Sequence, residues 1–351
     1  MQMSFRWYGE GDPISLTDIK QIPNMTGIVT AIYDIPAGEV WPVERIKELK
    51  KAVEKEGMEI AIIESVPVHE DIKMGAAKRD HWIANYQQTI RNLASVGINR
   101  ICYNFMPVFD WTRTSLSAPL SDGSNSLAYD EKVAGNIDPL SGELVLPGWD
   151  LSYQIDDLRR IMDIYKDMPE QQLFDNLIYF LEKIIPVADE EKVYMAIHPD
   201  DPPWSIFGLP RVVINKDSIA KIISSVDSKY NGITFCTGSY GADRNNELCE
   251  MIEAAKGRIH FVHARNIKWT GEKSFQETSH LSRDGSLDMV AILKKLVEVS
   301  FDGPIRPDHG RMIWGEKGRP GYGLYDRALG ATYLNGILDT IYHHTEEGVE
   351  S

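Results

Sequence analysis

Short apolar runs alternate with longer amphipathic runs along the whole chain. This alternation predicts a parallel sheet whose strands are joined by crossover helices. The predicted strands cover residues 5–8, 27–34, 59–64, 100–105, 193–198, 232–236, 259–263 and 304–308. The predicted helices cover residues 16–21, 43–55, 81–96, 154–185, 218–226, 243–255, 287–299 and 324–342. Eight strand–helix units are the number that closes a (β/α)8 TIM barrel of the α/β class.

Residues 107–153 interrupt this rhythm. They include Trp111, Arg113 and a polar stretch, Ser-Asp-Gly-Ser-Asn-Ser, at 121–126. A connection of this length inside a compact domain is usually functional or partly disordered. Because it follows the fourth strand, it emerges on the C-terminal face, where barrel enzymes carry their sites. We therefore expect one barrel domain over 1–351, with an insertion at 107–153 that forms a cap over the site or a dimer arm.

Each of the last four predicted strands ends on a residue type that binds metal ions, namely His198, Cys236, His263 and Asp308. A single histidine or cysteine at a strand end is more often a packed or hydrogen-bonded side chain. Four such residues on successive strands converge at one barrel mouth and predict a metal site. A thiolate among the ligands makes the site softer than a magnesium or calcium site. It favours zinc or iron(II) and leaves manganese and cobalt open.

The residues that follow the last strand include candidates for acid–base chemistry. His309 directly follows Asp308 and precedes Gly310, so its ring leaves the strand at the barrel mouth, where a histidine can take or give a proton. A role in orienting a ligand is the alternative. Tyr322 lies between two glycines, which lets the backbone carry its phenol over the site. Tyr325, in the first turn of the last helix, is the rival tyrosine.

Four further side chains are candidates for substrate binding. Arg265 lies on the same strand face as His263, and Arg306 on the same face as Asp308, so either guanidinium could bind a substrate carboxylate. For Arg265 a salt bridge at the rim is an equally good interpretation. His81 lies near a helix start on the C-terminal face. Tyr325 is the fourth candidate, although packing in the first helical turn is the better explanation for it.

Composition narrows the class of protein. The chain has 351 residues, 37 basic and 52 acidic side chains and a net charge of −15, which argues against a nucleic-acid partner but not against a small anionic substrate. Three cysteines are too few for a disulfide framework and indicate a reducing compartment. The sequence shows no signal peptide and no apolar run of membrane-spanning length. We expect a cytoplasmic protein with no membrane partner.

Several separated segments, in the same order, resemble the D-mannonate dehydratase family over nearly the whole chain. These segments are Phe-Arg-Trp-Tyr-Gly at 5–9, Ala-Ile-His-Pro-Asp-Asp-Pro-Pro at 196–203, Phe-Cys-Thr-Gly-Ser at 235–239, Phe-Val-His-Ala-Arg-Asn at 261–266, Arg-Pro-Asp-His-Gly-Arg at 306–311 and Gly-Tyr-Gly-Leu-Tyr-Asp-Arg-Ala-Leu-Gly at 321–330.

The resemblance implies a xylose-isomerase-like barrel that converts D-mannonate to 2-keto-3-deoxy-D-gluconate in hexuronate breakdown. It implies Mn²⁺ or Fe²⁺ as cofactor, bound by His198, Cys236, His263 and Asp308. It implies His309 as one member of an acid–base pair and Tyr322 as the other, with Tyr325 left open as the alternative tyrosine. Which of the two takes the proton stays open. We expect a homo-oligomer, with a dimer favoured.

Two rival functions stay open at this stage. A metal-dependent sugar isomerase or epimerase would use the same barrel, but such enzymes typically need carboxylate-rich two-metal sites, and only Asp308 is a firm acidic ligand here. A non-catalytic sugar-acid-binding protein would have no need of a metal ion beside His309 and Tyr322.

Overall fold

Eight parallel strands close into a barrel in the computed structural model, which describes residues 1–141 and 155–347. The barrel strands are β1 (Gln2–Arg6), β2 (Gly27–Thr30), β3 (Glu59–Glu64), β4 (Arg100–Tyr103), β7 (Tyr194–Ile197), β8 (Asn231–Cys236), β9 (Ile259–Ala264) and β12 (Pro304–Pro307). Each strand pairs with the next in chain order, and β12 closes the ring by pairing Ile305 with Met3 of β1. The predicted (β/α)8 barrel is confirmed.

The helices surround this barrel. They are α1 (Leu16–Ile19), α2 (Val43–Lys55), α3 (Glu70–Lys73), α4 (Arg79–Ser95), α5 (Glu131–Ala134), α6 (Ile155–Lys166), α7 (Glu170–Glu191), α8 (Lys216–Ser225), α9 (Thr237–Ala242), α10 (Leu248–Ala254), α11 (Met289–Glu298) and α12 (Tyr325–Glu347). Side-chain caps define several starts, such as Ser15 on α1 and Asn215 on α8, each in a capping box. Within the described ranges, no helix is long and apolar enough to cross a bilayer.

The longest predicted helix, over 154–185, is wrong in two respects. The described part of it is two helices, α6 and α7, because Pro169 caps α7 and cannot continue the preceding helix. The second helix also continues through Pro186 and ends only at Glu191, followed by Lys192 in a left-handed backbone conformation with φ of 58°. Its apolar face, which includes Leu177 and Phe180, is fully buried, and this burial outweighs the helix-breaking tendency of the proline.

Two other boundaries differ from the prediction. The first strand covers Gln2–Arg6 rather than residues 5–8, so its buried face lies earlier in the chain. The helical region after β8 begins at Thr237, directly after Cys236, where residues 243–255 were predicted. A short helix, α9, therefore starts immediately at the mouth of the barrel.

A second sheet lies on the C-terminal side and was not predicted. It consists of β5 (Ser115–Pro119), β6 (Asn125–Tyr129), β10 (Ile267–Gly271) and β11 (Ser274–Glu277), in the antiparallel order β10-β11-β6-β5. Gly123, with φ of 84°, turns the chain between β5 and β6. The 107–141 part of the predicted insertion thus pairs with a hairpin that follows β9, while residues 142–153 lie outside the described part of the chain.

The barrel interior below the mouth is closed by a small apolar cluster. It consists of Val29, Ile62, Cys102, Ala196 and Phe261, all at most 1% exposed. These side chains come from five different strands, as expected of a barrel whose interior is filled rather than open. The cluster separates the polar mouth from the opposite end of the barrel.

Phe261→Ala should destabilise the fold, because it removes the only aromatic ring of this five-residue cluster and leaves a cavity. We expect a loss of roughly 3–5 kcal/mol in the free energy of unfolding, measured by chemical denaturation. Val290→Ala, at a position on α11 that is 45% exposed, is the control and should change it by less than about 0.5 kcal/mol. A loss below about 1 kcal/mol for Phe261→Ala would contradict the close-packed interior.

Candidate active site

A cavity of about 410 Å³ lies at the C-terminal ends of the barrel strands, within the ~300–1,000 Å³ range of small-molecule sites. Its walls come from all sides of the barrel. They include Arg6, Tyr8, Glu64, Cys102, Asn104, Trp111, His198, Asp201, His263, Arg306, Asp308, His309 and Tyr322. The polar wall of the cavity contrasts with the apolar cluster beneath it.

Three of the four predicted metal ligands face one another directly. One ligand atom from each of His198, Cys236 and His263 lies within 4.8 Å of the other two. Asp308 stands beside them, with Oδ2 at 3.8 Å from both Cys236 Sγ and His263 Nδ1. In a tetrahedral site with bonds of roughly 2.0–2.3 Å, ligand atoms lie about 3.3–3.8 Å apart, which is close to these separations.

The contacts on the far side of each histidine ring favour a cation between them. His198 Nδ1 lies 2.7 Å from the carbonyl oxygen of Pro199, which can only accept, and His263 Nε2 lies 3.4 Å from Glu64 Oε1. With hydrogens on these outer nitrogens, His198 Nε2 and His263 Nδ1 present lone pairs to each other at 3.1 Å. Two facing lone pairs repel, whereas a metal ion would be bound by both.

The charge state of these groups agrees with metal binding. Burial lowers the pKa of His198, which keeps its ring neutral. Burial alone would raise the pKa of Asp308, but Arg306 and the other neighbouring groups that favour the charged carboxylate together outweigh it, and the pKa lies well below its usual value. The site therefore offers a neutral imidazole and an ionised carboxylate, the forms that bind metal ions.

A second group of metal-ligating residue types overlaps the first. Single ligand atoms of Glu64, Cys102 and His263 also lie within 4.8 Å of one another. Glu64 is already paired with two guanidinium groups, at 3.2 Å from Arg6 and 3.1 Å from Arg306. Its carboxylate therefore acts as the partner of His263 Nε2 in this structure rather than as a free ligand.

A continuous network of ion pairs runs along the wall of the cavity and beneath it. It links four arginines to four carboxylates: Arg6, Arg113, Arg265 and Arg306 with Glu64, Asp201, Glu277 and Asp308. Each of these side chains is no more than 12% exposed. This set of ion pairs contains four positive and four negative side chains, and each of the eight has at least one partner of opposite charge.

His309 and Tyr322 meet at the edge of the same cavity. His309 Nε2 lies 2.8 Å from the Tyr322 hydroxyl, and the Trp111 ring lies 4.6 Å from the imidazole. The glycines beside Tyr322 allow this approach. A Cβ at Gly321, which has φ of 78°, would lie 2.5 Å from Leu127, and one at Gly323 would lie 2.2 Å from Glu316. Burial raises the pKa of Tyr322 well above its usual value.

The two candidate arginines have different positions. Arg306 lines the cavity while its guanidinium pairs with Glu64 and Asp308. Arg265 is fully buried beneath the cavity and is not among the cavity-lining residues. Its guanidinium is paired with Asp201, Glu277 and Asp308, which agrees with the salt-bridge alternative rather than with a direct contact to substrate.

The structure describes both His81 and Tyr325, and neither side chain lies at the cavity. His81 is exposed on α4 and its ring packs on Trp82 at 4.8 Å. Tyr325 begins α12, is 43% exposed and contacts the Trp314 ring at 5.6 Å. Neither side chain lines the cavity, so the structure does not support the substrate-binding role predicted for them, and Tyr322 is the tyrosine that meets His309.

Three residues of the site went unrecognised in the sequence. Glu64 is the last residue of β3, and extending the strand-end search to the first four strands would have found it. Asp201 lies in the segment after β7 that also carries His198. Glu277 ends β11, and since the hairpin that carries it was not predicted, nothing in the sequence connected it with His309.

Sequence comparison with known proteins identifies the same family over nearly the whole chain. The family model described as D-mannonate dehydratase (UxuA) matches residues 1–347. "Mannonate dehydratase 2" of Halalkalibacterium halodurans is 58% identical over 343 residues, covering 97% of this chain and 99% of the relative. "Mannonate dehydratase" of Streptococcus uberis is 59% identical with the same coverage.

Two solved structures are similar to this one, the first in both sequence and fold and the second in fold alone. The crystal structure of mannonate dehydratase from Streptococcus suis serotype 2 superimposes with a TM-score of 0.92 at 49% identity, covering 98% of this chain and 96% of that chain. A xylose isomerase domain protein from Planctomyces limnophilus has a TM-score of 0.57 at 13% identity, covering 97% and 99%. The second likeness shows a shared xylose-isomerase-like barrel and nothing more.

Replacing the candidate thiolate ligand should change metal binding selectively. Cobalt(II) bound to a thiolate has a ligand-to-metal charge-transfer band, which we expect from the wild type and expect to lose in Cys236→Ser. Cys249→Ser, at a half-buried thiol outside both ligand groups, is the matched control and should keep the band. Retention of the band in Cys236→Ser, with loss in Cys102→Ser, would move the site to the Glu64 group.

Proposed function

The chain belongs to the D-mannonate dehydratase family, and we propose that its site removes water from D-mannonate to give 2-keto-3-deoxy-D-gluconate, a step of hexuronate breakdown. The observation that carries the proposal is the juxtaposition of two sets of groups in one cavity. The His198, Cys236, His263 and Asp308 ligand atoms converge next to the hydrogen-bonded His309–Tyr322 pair.

We propose that these four side chains hold one divalent transition-metal ion, Mn²⁺ or Fe²⁺. When bound, the ion supplies a Lewis acid for the substrate's carboxylate or hydroxyl oxygens and lowers the cost of negative charge at C2. The two imidazoles, one carboxylate and one thiolate fit a first-row transition ion better than Mg²⁺ or Ca²⁺.

The balance of buried charge supports an anionic substrate. The four arginines and four carboxylates of the ion-pair network cancel. A divalent cation with the Cys236 thiolate would leave one uncompensated positive charge at the base of the cavity. A single substrate carboxylate would neutralise it, which fits a sugar acid and not a neutral sugar. The isomerase and epimerase alternative is favoured by no such feature, since the solved structures of that kind share only the fold.

The proton transfers are assigned to the His309–Tyr322 pair. We propose that His309 Nε2 takes the C2 proton, while the Tyr322 hydroxyl gives its hydrogen to the departing C3 hydroxyl, which leaves as water. The C2–H and C3–O bonds break, a C2–C3 double bond forms, and the resulting enol becomes the 2-keto product. The raised pKa of Tyr322 keeps the phenol protonated before the reaction. The 2.8 Å contact then lets the protonated ring return its proton to the phenolate.

The described part of the insertion supports a cap rather than an arm. Trp111 covers the His309 ring, and Arg113, fully buried, joins Asp201 and Glu277 under the cavity. We propose one barrel domain in which the described part of the insertion, 107–141, covers the site and excludes water from it. The three free thiols suit the reducing cytoplasm that we propose as its location.

Incubation of the purified protein with Mn²⁺ and D-mannonate should form a 2-keto-3-deoxy acid, detected by a colorimetric assay for such acids and by mass spectrometry. His309→Asn should lower kcat by about 10²–10⁴-fold because proton transfer loses its acceptor, while bound metal stays unchanged. His343→Asn, exposed near the end of α12, is the control and should retain full activity. No product from the metal-loaded wild type would refute the dehydratase proposal, and an active His309→Asn variant would refute the role of His309.

We also propose a homodimer that covers an exposed apolar patch made of Trp314, Tyr325 and Leu329. Their exposed fractions are 74%, 43% and 47%, high for large apolar side chains. Sedimentation velocity should give the mass of two chains, and Leu329→Glu should shift the equilibrium toward monomer without loss of metal. A monomeric wild type at micromolar concentration would contradict this proposal.

A further inference from the structure

We propose that Glu277, at the end of β11, is a positioning residue that fixes the hydrogen of the His309 ring on Nδ1 and so keeps Nε2 free to exchange a proton. The inference rests on the proposed function, because it concerns the same proton transfer. It adds a residue from the second sheet, outside the barrel strands, to the machinery at their ends.

The contact itself is short and fully buried. His309 Nδ1 lies 2.8 Å from Glu277 Oε1, and its opposite nitrogen lies 2.8 Å from the Tyr322 hydroxyl. Glu277 is 0% exposed and His309 is 3% exposed. The ring is thus held between a carboxylate on one side and a phenol on the other.

The chemistry of a neutral imidazole requires an acceptor at Nδ1. One ring nitrogen carries the hydrogen and the other carries a lone pair. If Nε2 takes a proton, it has a lone pair beforehand, and if it gives a proton, it has a lone pair afterwards. In both directions the hydrogen of the neutral ring is on Nδ1 and needs an acceptor.

Among the described residues, two side chains contact Nδ1, and only Glu277 can accept. The other is Arg265, whose NH1 lies 2.7 Å from Nδ1, and a guanidinium has donors only. Arg265 would therefore favour the opposite tautomer, with hydrogen on Nε2, and that ring could not take a proton there. The choice between the two tautomers depends on the Glu277 carboxylate.

Glu277 is itself held by the buried ion pairs. Its Oε1 accepts from Arg113 Nε and NH2 at 3.0 and 2.8 Å and from Arg265 NH1 at 2.8 Å. Burial alone would raise the pKa of Glu277, but His309 and the two guanidinium groups outweigh it and the pKa is lowered, so the carboxylate stays ionised. The pairing of β11 with β6, at Phe275 and Tyr129, fixes the strand that delivers it.

Glu277→Gln tests the proposal, because it keeps the size of the side chain and removes its charge. We expect kcat for D-mannonate to fall by at least about 10²-fold, with KM and bound Mn²⁺ changed by less than threefold. A merely structural role would instead change metal content, KM or the thermal midpoint. Gln276→Glu, the reverse change at the neighbouring position on β11, is the matched control and should leave kcat within about twofold.

A second measurement does not depend on activity. ¹⁵N-labelled histidine in the full chain, loaded with diamagnetic Zn²⁺, reports the tautomer of His309, whose signal is identified by its loss in His309→Asn. We expect hydrogen on Nδ1 in the wild type and a shift toward Nε2 in Glu277→Gln, as Arg265 becomes the dominant partner of Nδ1.

The outcomes separate this inference from the proposed function. Wild-type His309 with hydrogen on Nε2, or a Glu277→Gln variant with kcat within threefold of wild type, would overturn the role of Glu277 while leaving the dehydratase assay valid. If the wild type forms no product, the tautomer measurement still decides the positioning role. If Glu277→Gln does not fold, the wild-type tautomer alone decides it.

Discussion

The arrangement of the site depends on the network of eight largely buried, charged side chains that lie in the wall of its cavity and beneath it. Burying so many ionised groups is expensive unless each one is paired and hydrogen-bonded, and a buried ion pair contributes little net stability even then. Here Arg306 binds both Glu64 and Asp308, and Arg265 binds Asp308, Asp201 and Glu277. Removing any one member would leave an uncompensated charge in the interior, so the network constrains the positions of all the others.

This constraint connects the metal ligands to the acid–base pair. Arg306 lies 2.7 Å from Asp308 Oδ1 and Arg265 lies 3.3 Å from Oδ2, and this paired carboxylate directs Oδ2 toward Cys236 and His263 as well. Glu64, at the opposite end, contacts the outer nitrogen of His263. Glu277 contacts the next residue after Asp308, which is His309. One set of buried pairs thus orients ligands and proton-transfer groups together, as such sites require.

The sequence was sufficient for the barrel and for the groups at its strand ends. Strands recur with a simple apolar pattern, and barrel geometry alone places His198, Cys236, His263 and Asp308 at one mouth.

The sequence was insufficient wherever distant segments meet outside the barrel. The β5–β6 and β10–β11 hairpins are short and partly exposed, and they pair Tyr129 with Phe275 across 146 residues of sequence, a separation that no local pattern encodes. The two alternatives for Arg265 could not be separated for the same reason, since its partners Asp201 and Glu277 come from segments outside the barrel strands. A proline separates α6 from α7 at Pro169, whereas α7 continues through Pro186 because its buried apolar face outweighs the helix-breaking tendency of the proline, and the sequence pattern does not distinguish these two cases.

The central claim is that one transition-metal ion is bound by four side chains from four successive barrel strands, beside the His309–Tyr322 pair. Anomalous diffraction at the manganese absorption edge, from crystals of the Mn²⁺-loaded protein, tests it directly. The account predicts one strong peak within about 2.0–2.4 Å of His198 Nε2, Cys236 Sγ, His263 Nδ1 and Asp308 Oδ2. A peak bound by Glu64 and Cys102 instead, or no peak in the cavity at full loading, would contradict it.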